Sequence, residues 1–316
     1  MQAAEDGWRA CAPASLRLSV VVPTYNYAAL LPRCLDSVLD QLTDECELIV
    51  VDDGSADGTA DLLRGWNCAT RRAAFVLQDN RGPAAARNAG LDASSGRWLL
   101  FLDADDVMEV GAIAAILARL GEQPDIDLLL GAHLDYAADG VRRYHAPEAV
   151  ADAVPVRLED FLFRKRFGIC HGSSVFSRAQ IARRRYPEGL RHGEDLAVFA
   201  FMLTTPVVAT LDVPLVRIYK HADSLRHRFD LNAEHSERIV QAVFEHLPAS
   251  FQPRINAFRA QRQLSLFRSC YRAGRYAEAL LCYRQAWALD ARLACRWRYL
   301  SKWLRLRLSR LPREAS

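Results

Sequence analysis

The feature that most constrains the fold of this chain is a regular alternation of short apolar runs and helical patterns in its first 131 residues. The five apolar runs occupy residues 18–22, 47–51, 73–77, 98–102 and 126–130. Continuous apolar runs of this length are typical of parallel strands that are buried on both faces. Helical patterns lie between them, at residues 30–42 and 83–91. The alternation predicts an α/β fold with a Rossmann-like, doubly wound, mostly parallel sheet flanked by helices.

The composition is that of an ordinary globular protein. The chain has 316 residues, of which 51% are hydrophobic and 25% are charged. These fractions are close to the globular average and exclude a disordered, collagenous or coiled-coil chain. The pattern is helical from residue 231 onward, so we expect a helical C-terminal region at residues 231–316. Within it, residues 273–290 resemble one helix pair of the tetratricopeptide type.

The sequence shows no sign of export or of a membrane-spanning segment. Its eight cysteines are scattered without a CxxC pair, which is typical of reduced thiols in the cytoplasm. Residues 1–17, which we expect to form an N-terminal extension, are partly charged and lack an apolar run of signal-peptide length. No stretch reaches the roughly 18 uncharged apolar residues of a transmembrane helix. We therefore expect a cytoplasmic protein.

Polar motifs follow the predicted strands at the end where doubly wound sheets bind their ligands. The motif PTYN (residues 23–26) comes after the first strand, and DDGS (residues 52–55) comes after the second. A carboxylate at Asp53 can accept the imide N–H of a pyrimidine base, and Tyr25 can stack on that base. The alternative is that this second motif only makes a turn and caps the next helix.

Three acids follow the fourth strand, in the motif DADD at residues 103–106. Residues two apart in an extended segment project to the same side, so Asp103 and Asp105 can converge on one cation. Mg²⁺ and Mn²⁺ prefer oxygen ligands of this kind and complete their shells with substrate phosphates. The alternative is a solvated acidic turn.

The segment NRGPAAARNAG (residues 80–90) lies between these two motifs in the chain. Pro83 suits the first turn of a helix, and the small residues allow that helix to pack closely on the sheet. Much of the segment is therefore expected to be architectural. Arg87 is long enough to reach a diphosphate from this position.

These motifs, in this order, resemble a family 2 glycosyltransferase of the GT-A fold over residues 18–225. The resemblance implies an enzyme in which Asp53 contacts the base and in which Asp103 and Asp105 serve a metal ion and the nucleotide-sugar. It places substrate-binding contacts at Pro23, Tyr25, Asp53, Arg87, Asp103, Ala104 and Glu194. It also implies a main domain at residues 18–230, with a nucleotide-sugar-binding half (18–131) and an acceptor-binding half (132–230).

The family also has a Glu-Asp pair on the acceptor side, and the sequence HGEDL at residues 192–196 offers such a pair. By this resemblance we expect Asp195 to be the catalytic base. A base there would remove the proton of an acceptor hydroxyl while the oxygen attacks the anomeric carbon. In-line displacement of this kind inverts the anomeric configuration. The alternative is an ordinary Glu-Asp pair on the surface.

Residues 217–225 resemble the closing segment of the family, in which a histidine approaches the diphosphate. His221 is therefore a candidate metal or phosphate ligand, with a structural or solvated histidine as the alternative. No HExxH, GxGxxG or GxxxxGK[ST] pattern occurs, which argues against zinc hydrolysis, dinucleotide-linked redox chemistry and P-loop hydrolysis. Cys170 and His171 are expected to pack in the core or to line an acceptor pocket.

The C-terminal segment is strongly basic. Residues 291–316 contain eight basic side chains and one acidic one, although the net charge of the whole chain is only +3. A helix there would carry one apolar stripe, formed by Leu293, Trp297, Leu300, Leu304, Leu308 and Leu311. Such a helix can rest in the headgroup region of an anionic membrane. Alternatively, the leucines pack on the protein body and the basic residues face water.

Taken together, the sequence predicts a cytoplasmic, inverting glycosyltransferase that uses Mn²⁺ or Mg²⁺. We expect a UDP- or dTDP-sugar as the donor, with a guanosine nucleotide left open. The expected acceptor is a glycan or lipid-linked acceptor of bacterial surface polysaccharide or lipopolysaccharide synthesis. Peripheral contact with the inner face of the cytoplasmic membrane is left open. No nucleic-acid partner is expected, because the basic and aromatic pattern does not continue into the body of the chain.

Two other functions remain open on the sequence alone. A nucleotidyltransferase that makes the sugar donor would carry a basic glycine-rich loop after its first strand, where this chain has PTYN. A non-catalytic scaffold of a glycan-assembly complex would recruit partners through the helical C-terminal region. The intact acids at Asp53, Asp103, Asp105 and Asp195 argue against the scaffold.

Overall fold

The computed structural model of the chain describes residues 6–7, 16–66, 72–136, 140, 142–166, 168–190, 192–219 and 233–308. The chain divides into two compact units. The first contains Met1–Phe161 and Lys165–Ser224, and the second contains Leu162–Arg164 and Leu225–Ser316. The domain boundary expected after residue 230 lies among residues 220–232, outside the described residues, and stays a prediction.

A 10-stranded sheet forms the centre of the first unit. Its strands are β1 (Asp6–Gly7), β2 (Leu18–Thr24), β3 (Cys46–Asp52), β4 (Ala73–Leu77), β5 (Trp98–Phe101), β6 (Val107–Met108), β7 (Leu128–Tyr136), β8 (Arg142–His145), β9 (Ser174–Ser177) and β10 (Val208–Tyr219). In space they follow the order β1-β4-β3-β2-β5-β9-β7-β10-β6, and β8 pairs with β7.

The predicted fold class is confirmed. The predicted parallel part of the sheet is formed by strands from the N-terminal part of the chain. Strands β4, β3, β2 and β5 are neighbours and all run parallel. Beyond β5 the sheet becomes mixed, because β9 lies antiparallel between β5 and β7, while β7 and β10 pair in parallel. The side chains of Val20 and Leu100 on one face and of Val21 and Leu99 on the other are fully buried, as expected for strands covered on both faces.

Seven helices cover the described part of this sheet or connect its strands. They are α1 (Leu31–Leu39), α2 (Thr59–Gly65), α3 (Pro83–Ala93), α4 (Ala112–Glu122), α5 (Val154–Leu158, continued by a π-helical segment at Glu159–Arg164), α6 (Arg178–Ile181) and α7 (Glu194–Met202). Helix α3 packs closely on β2, because a Cβ atom at Gly90 would lie 2.2 Å from Cγ1 of Val21. The architectural role expected for the small residues of this helix is thus observed.

The second unit is helical in its described part. Its helices are α8 (Ala233–Phe244), α9 (Ile255–Arg272), α10 (Tyr276–Leu289), α11 (Ala291–Ala294) and α12 (Trp297–Leu308). The interpretation of residues 273–290 as a helix pair is wrong, because the chain turns at Gly274 and then forms the single helix α10. The partner of α10 is the preceding helix α9, and Phe267 of α9 and Tyr283 of α10 share one core.

Candidate active site

The sequence motifs meet at the carboxyl ends of three neighbouring parallel strands. Pro23 lies in β2, Tyr25 follows it, Asp53 follows β3, and Asp103 lies two residues beyond β5. Because β3, β2 and β5 are adjacent and parallel, these strand ends lie along one edge of the sheet. The Tyr25 side chain is 47% exposed, so its ring has an open face.

Hydrogen bonds tie the loop after β2 to the loop after β3. The backbone N–H of Asn26 donates to Oγ of Ser55 at 2.8 Å, and the backbone N–H of Ala56 donates to Oδ1 of Asn26 at 2.8 Å. A third bond of 2.9 Å runs from the backbone N–H of Ala28 to Oδ2 of Asp57. The position of Tyr25 is therefore fixed from both loops.

Asp53 is buried and holds the loop between β4 and α3. Its Oδ1 accepts from Nε2 of Gln78 at 2.7 Å and from the backbone N–H of Arg81 at 2.9 Å, and its Oδ2 accepts from the backbone N–H of Gly82 at 2.7 Å. Next to it, Gly54 has a φ of +73°, and a Cβ there would lie 2.7 Å from the backbone nitrogen of Asn80. Asp53 therefore organises a turn, and its contact with a base stays a prediction.

The acidic motif after β5 forms a turn rather than the extended segment expected from the sequence. The backbone N–H of Asp106 donates to the carbonyl of Asp103 at 3.0 Å, which closes the turn. Asp106 is buried, and its Oδ1 accepts the backbone N–H of Tyr219 at 3.1 Å. Asp103 and Asp105 are half-buried, and Ala104 between them is buried. The two half-buried carboxylates therefore remain accessible, as a metal-binding pair requires.

Arg87 joins the acidic motif to the start of helix α7. Its Nη2 donates to Oδ1 of Asp103 at 3.0 Å and its Nη1 donates to Oε1 of Glu194 at 2.9 Å. Burial opposes the charge of Arg87, but the carboxylates of Asp103 and Glu194 outweigh it and raise the pKa of the guanidinium. The hydrogen bonds described for Arg87 thus go to carboxylates, and its contact with a diphosphate stays a prediction.

The expected base lies beside this buried ion pair. Helix α7 begins at Glu194, so Glu194 and Asp195 occupy its first turn. Burial raises the pKa of Glu194, Arg87 opposes that shift, and Asp195 adds to it. Asp195 is half-buried, and its Oδ1 accepts the backbone N–H of Leu196 at 2.8 Å. The structure therefore brings Asp103 and the Glu-Asp pair together through Arg87, which sequence spacing alone did not reveal.

A buried layer of polar and aromatic side chains lies next to Arg87. The rings of His171 and Tyr186 have centroids 5.6 Å apart, and the guanidinium of Arg87 is 5.5 Å from the ring centroid of Tyr186. Burial, assisted by the charge of Arg87, lowers the pKa of His171 to about 3. Burial also raises the pKa of the Cys170 thiol to about 11. His171 is therefore neutral and Cys170 protonated near pH 7.

The residues that could hold a donor-side metal ion are Asp103 and Asp105. Both offer carboxylate oxygens, which suit Mg²⁺ or Mn²⁺, and both are only partly buried. The candidate ligand His221 lies outside the described residues. None of the described helices has the length and apolar character needed to cross a membrane.

Comparison with known families identifies the chain. Residues 19–187 match the family described as glycosyl transferase family 2. This match covers more than half of the chain, so the chain belongs to glycosyl transferase family 2. The predicted resemblance is thereby confirmed.

Curated relatives match parts of the chain. A PGL/p-HBAD biosynthesis glycosyltransferase of Mycobacterium tuberculosis is 39% identical over 115 residues, which are 36% of this chain and 45% of that protein. The succinoglycan biosynthesis protein ExoO of Rhizobium meliloti is 32% identical over 195 residues, or 59% of this chain and 55% of that protein. The glycosyltransferase GlyA of Streptococcus pneumoniae is 31% identical over 130 residues, which are only 18% of its length. The matched region thus spans at most 55% of the length of any of these three relatives.

A solved structure shares the fold over nearly the whole chain. Residues 1–349 of TarS from S. aureus superpose with a TM-score of 0.63 at 20% sequence identity, covering 94% of this chain and 93% of TarS 1-349. The same fragment has been solved in complex with UDP-GlcNAc and with UDP. At this identity the likeness establishes the fold alone, and it confirms the GT-A architecture.

Proposed function

We propose that the chain is a metal-dependent, inverting glycosyltransferase that moves a sugar from a nucleoside-diphosphate donor to a hydroxyl of a glycan or glycolipid. The observation that carries this proposal is the bridge formed by Arg87. It connects Asp103 of the acidic motif with Glu194 at the start of the helix that presents Asp195. Arg87 would thus fix the position of a donor held at the acidic motif relative to an acceptor activated at Asp195.

The donor is proposed to be a UDP- or dTDP-sugar. The exposed ring of Tyr25 offers a stacking surface for a base beside the Asp53 loop. The solved complexes of TarS contain UDP-GlcNAc and UDP, which supports a uridine nucleotide. Relatives named for glycolipid and succinoglycan synthesis support an acceptor from a bacterial surface glycan or glycolipid.

In the proposed reaction, the carboxylate of Asp195 accepts the proton of the acceptor hydroxyl while that oxygen bonds to the anomeric carbon. The bond from the anomeric carbon to the diphosphate oxygen breaks, and the nucleoside diphosphate leaves from the opposite face. A Mg²⁺ or Mn²⁺ ion held by Asp103 and Asp105 would neutralise the charge of that leaving group. Glu194 is already paired with Arg87, which leaves Asp195 as the proton acceptor of this pair.

Donor binding and transfer can be tested separately. A panel of nucleotide-sugars with Mn²⁺ should contain one that raises the melting temperature, because a ligand stabilises the state it binds. Asp195→Asn should keep that stabilisation and lower the release of nucleoside diphosphate by about 100-fold or more. Asp105→Ala should lose the Mn²⁺-dependent part of the stabilisation.

The matched control is Asp92→Asn, which removes an exposed carboxylate paired with Arg185 and should leave both measurements unchanged. The proposal fails if no nucleotide-sugar stabilises the protein. It also fails if Asp195→Asn and Asp105→Ala both retain the wild-type rate of transfer and donor hydrolysis.

We further propose that helix α12 rests on the cytoplasmic face of an anionic membrane. Tyr299 and Leu306 of this helix are buried in the core of the second unit, whereas Trp297 and Leu308 are 72% and 64% exposed. Trp297, Leu300, Leu304 and Leu308 follow helical spacing and form a stripe apart from that core. The expectation that Leu293 belongs to this stripe is wrong, because Leu293 lies in the separate short helix α11 and packs against the core of the second unit. Leu311 lies outside the described residues.

The membrane proposal can be tested by co-sedimentation with vesicles that contain phosphatidylglycerol. Trp297→Ala combined with Leu308→Ala should reduce binding at constant lipid concentration. Trp287→Ala on α10 is the matched control, since it removes another exposed tryptophan of the same unit. Equal binding by all three proteins would refute the proposal for this helix.

A further inference from the structure

A second group of potential metal ligands lies on the antiparallel pair β7–β8. His133 and Asp135 belong to β7, and His145 belongs to β8. In the register of this pair His133 stands directly opposite His145. Residues two apart in a strand face the same side, so His133, Asp135 and His145 share one face of the pair.

The distances between these side chains approach those of a coordination sphere. Nε2 of His145 lies 3.1 Å from Oδ2 of Asp135. The two imidazole rings are stacked, with centroids 4.7 Å apart and an interplanar angle of 12°. One ligand atom from each of the three residues lies within 4.8 Å of the others. Ligand atoms around a tetrahedral Zn²⁺ lie about 3.3 Å apart, given bonds of about 2.0–2.1 Å. Because the lone pair of an imidazole nitrogen lies in the plane of its ring, ion binding requires the His133 side chain to rotate out of this stacked arrangement and close the gap of up to 4.8 Å.

We propose that His133, Asp135 and His145 bind Zn²⁺ or a similar transition-metal ion. Two imidazole nitrogens with one carboxylate suit Zn²⁺, Ni²⁺ or Cu²⁺, whereas Mg²⁺ and Ca²⁺ require oxygen ligands. The site thus differs in chemistry from the carboxylate pair at Asp103 and Asp105. Three protein ligands leave one tetrahedral position for water.

The position of the site in the sheet gives the ion a structural role. Among the described strands, β8 pairs only with β7 and lies off the main path of the sheet. A metal ion bound to His133 and Asp135 on one side and to His145 on the other would cross-link these two strands. The ion would hold β8 in its register on β7, and the proposal does not depend on the glycosyltransferase reaction.

The test is metal binding by the tag-free full chain after removal of metals with EDTA. Calorimetric titration with ZnCl₂ should show one site, and titration with CoCl₂ should give the intense visible absorption of a low-coordinate Co²⁺ ion. His133→Gln and His145→Gln should each weaken Zn²⁺ binding at least tenfold and abolish the Co²⁺ absorption. Circular dichroism checks that each variant is folded, and either histidine variant alone is sufficient for the test.

Two matched variants separate this site from other sources of metal binding. His246→Gln removes an exposed histidine that lies 3.7 Å from Glu245, and it should bind Zn²⁺ as the wild type does. Asp105→Asn alters the acidic motif and should likewise retain the Zn²⁺ site and its Co²⁺ spectrum. The proposal is overturned if Zn²⁺ does not bind, if either folded histidine variant binds it unchanged, or if Asp105→Asn abolishes binding.

Discussion

Arg87 on α3 and Glu194 on α7 form a buried ion pair across 107 positions of the chain, with Nη1 2.9 Å from Oε1. The side chains are 8% and 10% exposed, so water screens the two charges only weakly. Asp103 accepts a second hydrogen bond from the same guanidinium. Arg87 is therefore a positioning residue that fixes the first turn of α7 relative to the acidic motif.

Removing Arg87 should be strongly destabilising. Arg87→Met would leave Glu194 buried without its cation, and breaking a buried pair in this way costs about 3–5 kcal/mol. Urea unfolding should show this loss, and Arg87→Met combined with Glu194→Gln should recover part of it. Arg64→Met, in an exposed pair with Asp61, should cost less than about 1 kcal/mol. A double variant less stable than Arg87→Met would contradict the assignment of the loss to the unpaired carboxylate.

The buried histidine should make the protein sensitive to mild acid. The pKa of His171 is lowered to about 3 in the folded protein, against an ordinary value near 6.5, so the unfolded chain binds the proton more readily. The stability that depends on neutral His171 is fully present above pH 6.5 and is lost as the pH falls toward 3. Between pH 7 and 5 the free energy of unfolding should fall by about 2 kcal/mol from this group.

The His171→Phe variant tests this pH dependence. Urea unfolding at pH 7, 6 and 5 should show a smaller decrease for the variant than for the wild type. His246→Gln, which removes a partly exposed histidine next to Glu245, is the matched control variant. Equal slopes for His171→Phe and the wild type would show that another group controls the acid response.

The sequence predicts the parallel half of the sheet because that half depends on local patterns. The run at residues 73–77 coincides with β4, and the runs at 18–22 and 47–51 extend by only a few residues in β2 and β3. Each strand is continuous and apolar, and each is followed by a polar motif that must lie at the sheet edge. The antiparallel strand β9 was not predicted, because its sequence SVFS is short and begins and ends with serine.

The partners of the site residues could not be predicted, because they come from distant parts of the chain. The segment at residues 80–90 singled out Arg87 and the family resemblance singled out Glu194, but their contact depends on how α7 packs near α3. The contact between the rings of His171 and Tyr186 likewise depends on the fold, because the two residues come from separate segments of the chain. Gly90 illustrates the opposite case, since a small-residue helix next to a buried strand implies close packing.

Close packing between α3 and β2 should make Gly90→Ala destabilising. The added methyl group would meet Cγ1 of Val21 at 2.2 Å, and overpacking of this kind typically costs about 1–3 kcal/mol. Val21→Ala removes that obstacle, although it is itself destabilising because it leaves a cavity in the core. Gly90→Ala should therefore cost less in the Val21→Ala background than in the wild type when unfolding is followed in urea. Strictly additive losses would refute the steric explanation.

Asp53→Asn distinguishes an organising role of the carboxylate from a contact with the base alone. Both oxygens of Asp53 accept N–H donors, from Gln78, Arg81 and Gly82. An amide has only one oxygen, so its NH₂ group must face at least one of these donors, and an unsatisfied buried group costs about 1–3 kcal/mol. Asp53→Asn should therefore lower both the free energy of unfolding and the affinity for a stabilising nucleotide. Gln78→Ala removes one donor but keeps the hydrogen bonds from the backbone N–H groups of Arg81 and Gly82, so it should lower the free energy of unfolding by less. If Asp53→Asn weakens nucleotide binding while its unfolding free energy equals that of the wild type, the carboxylate serves the base and the loop holds its shape without it.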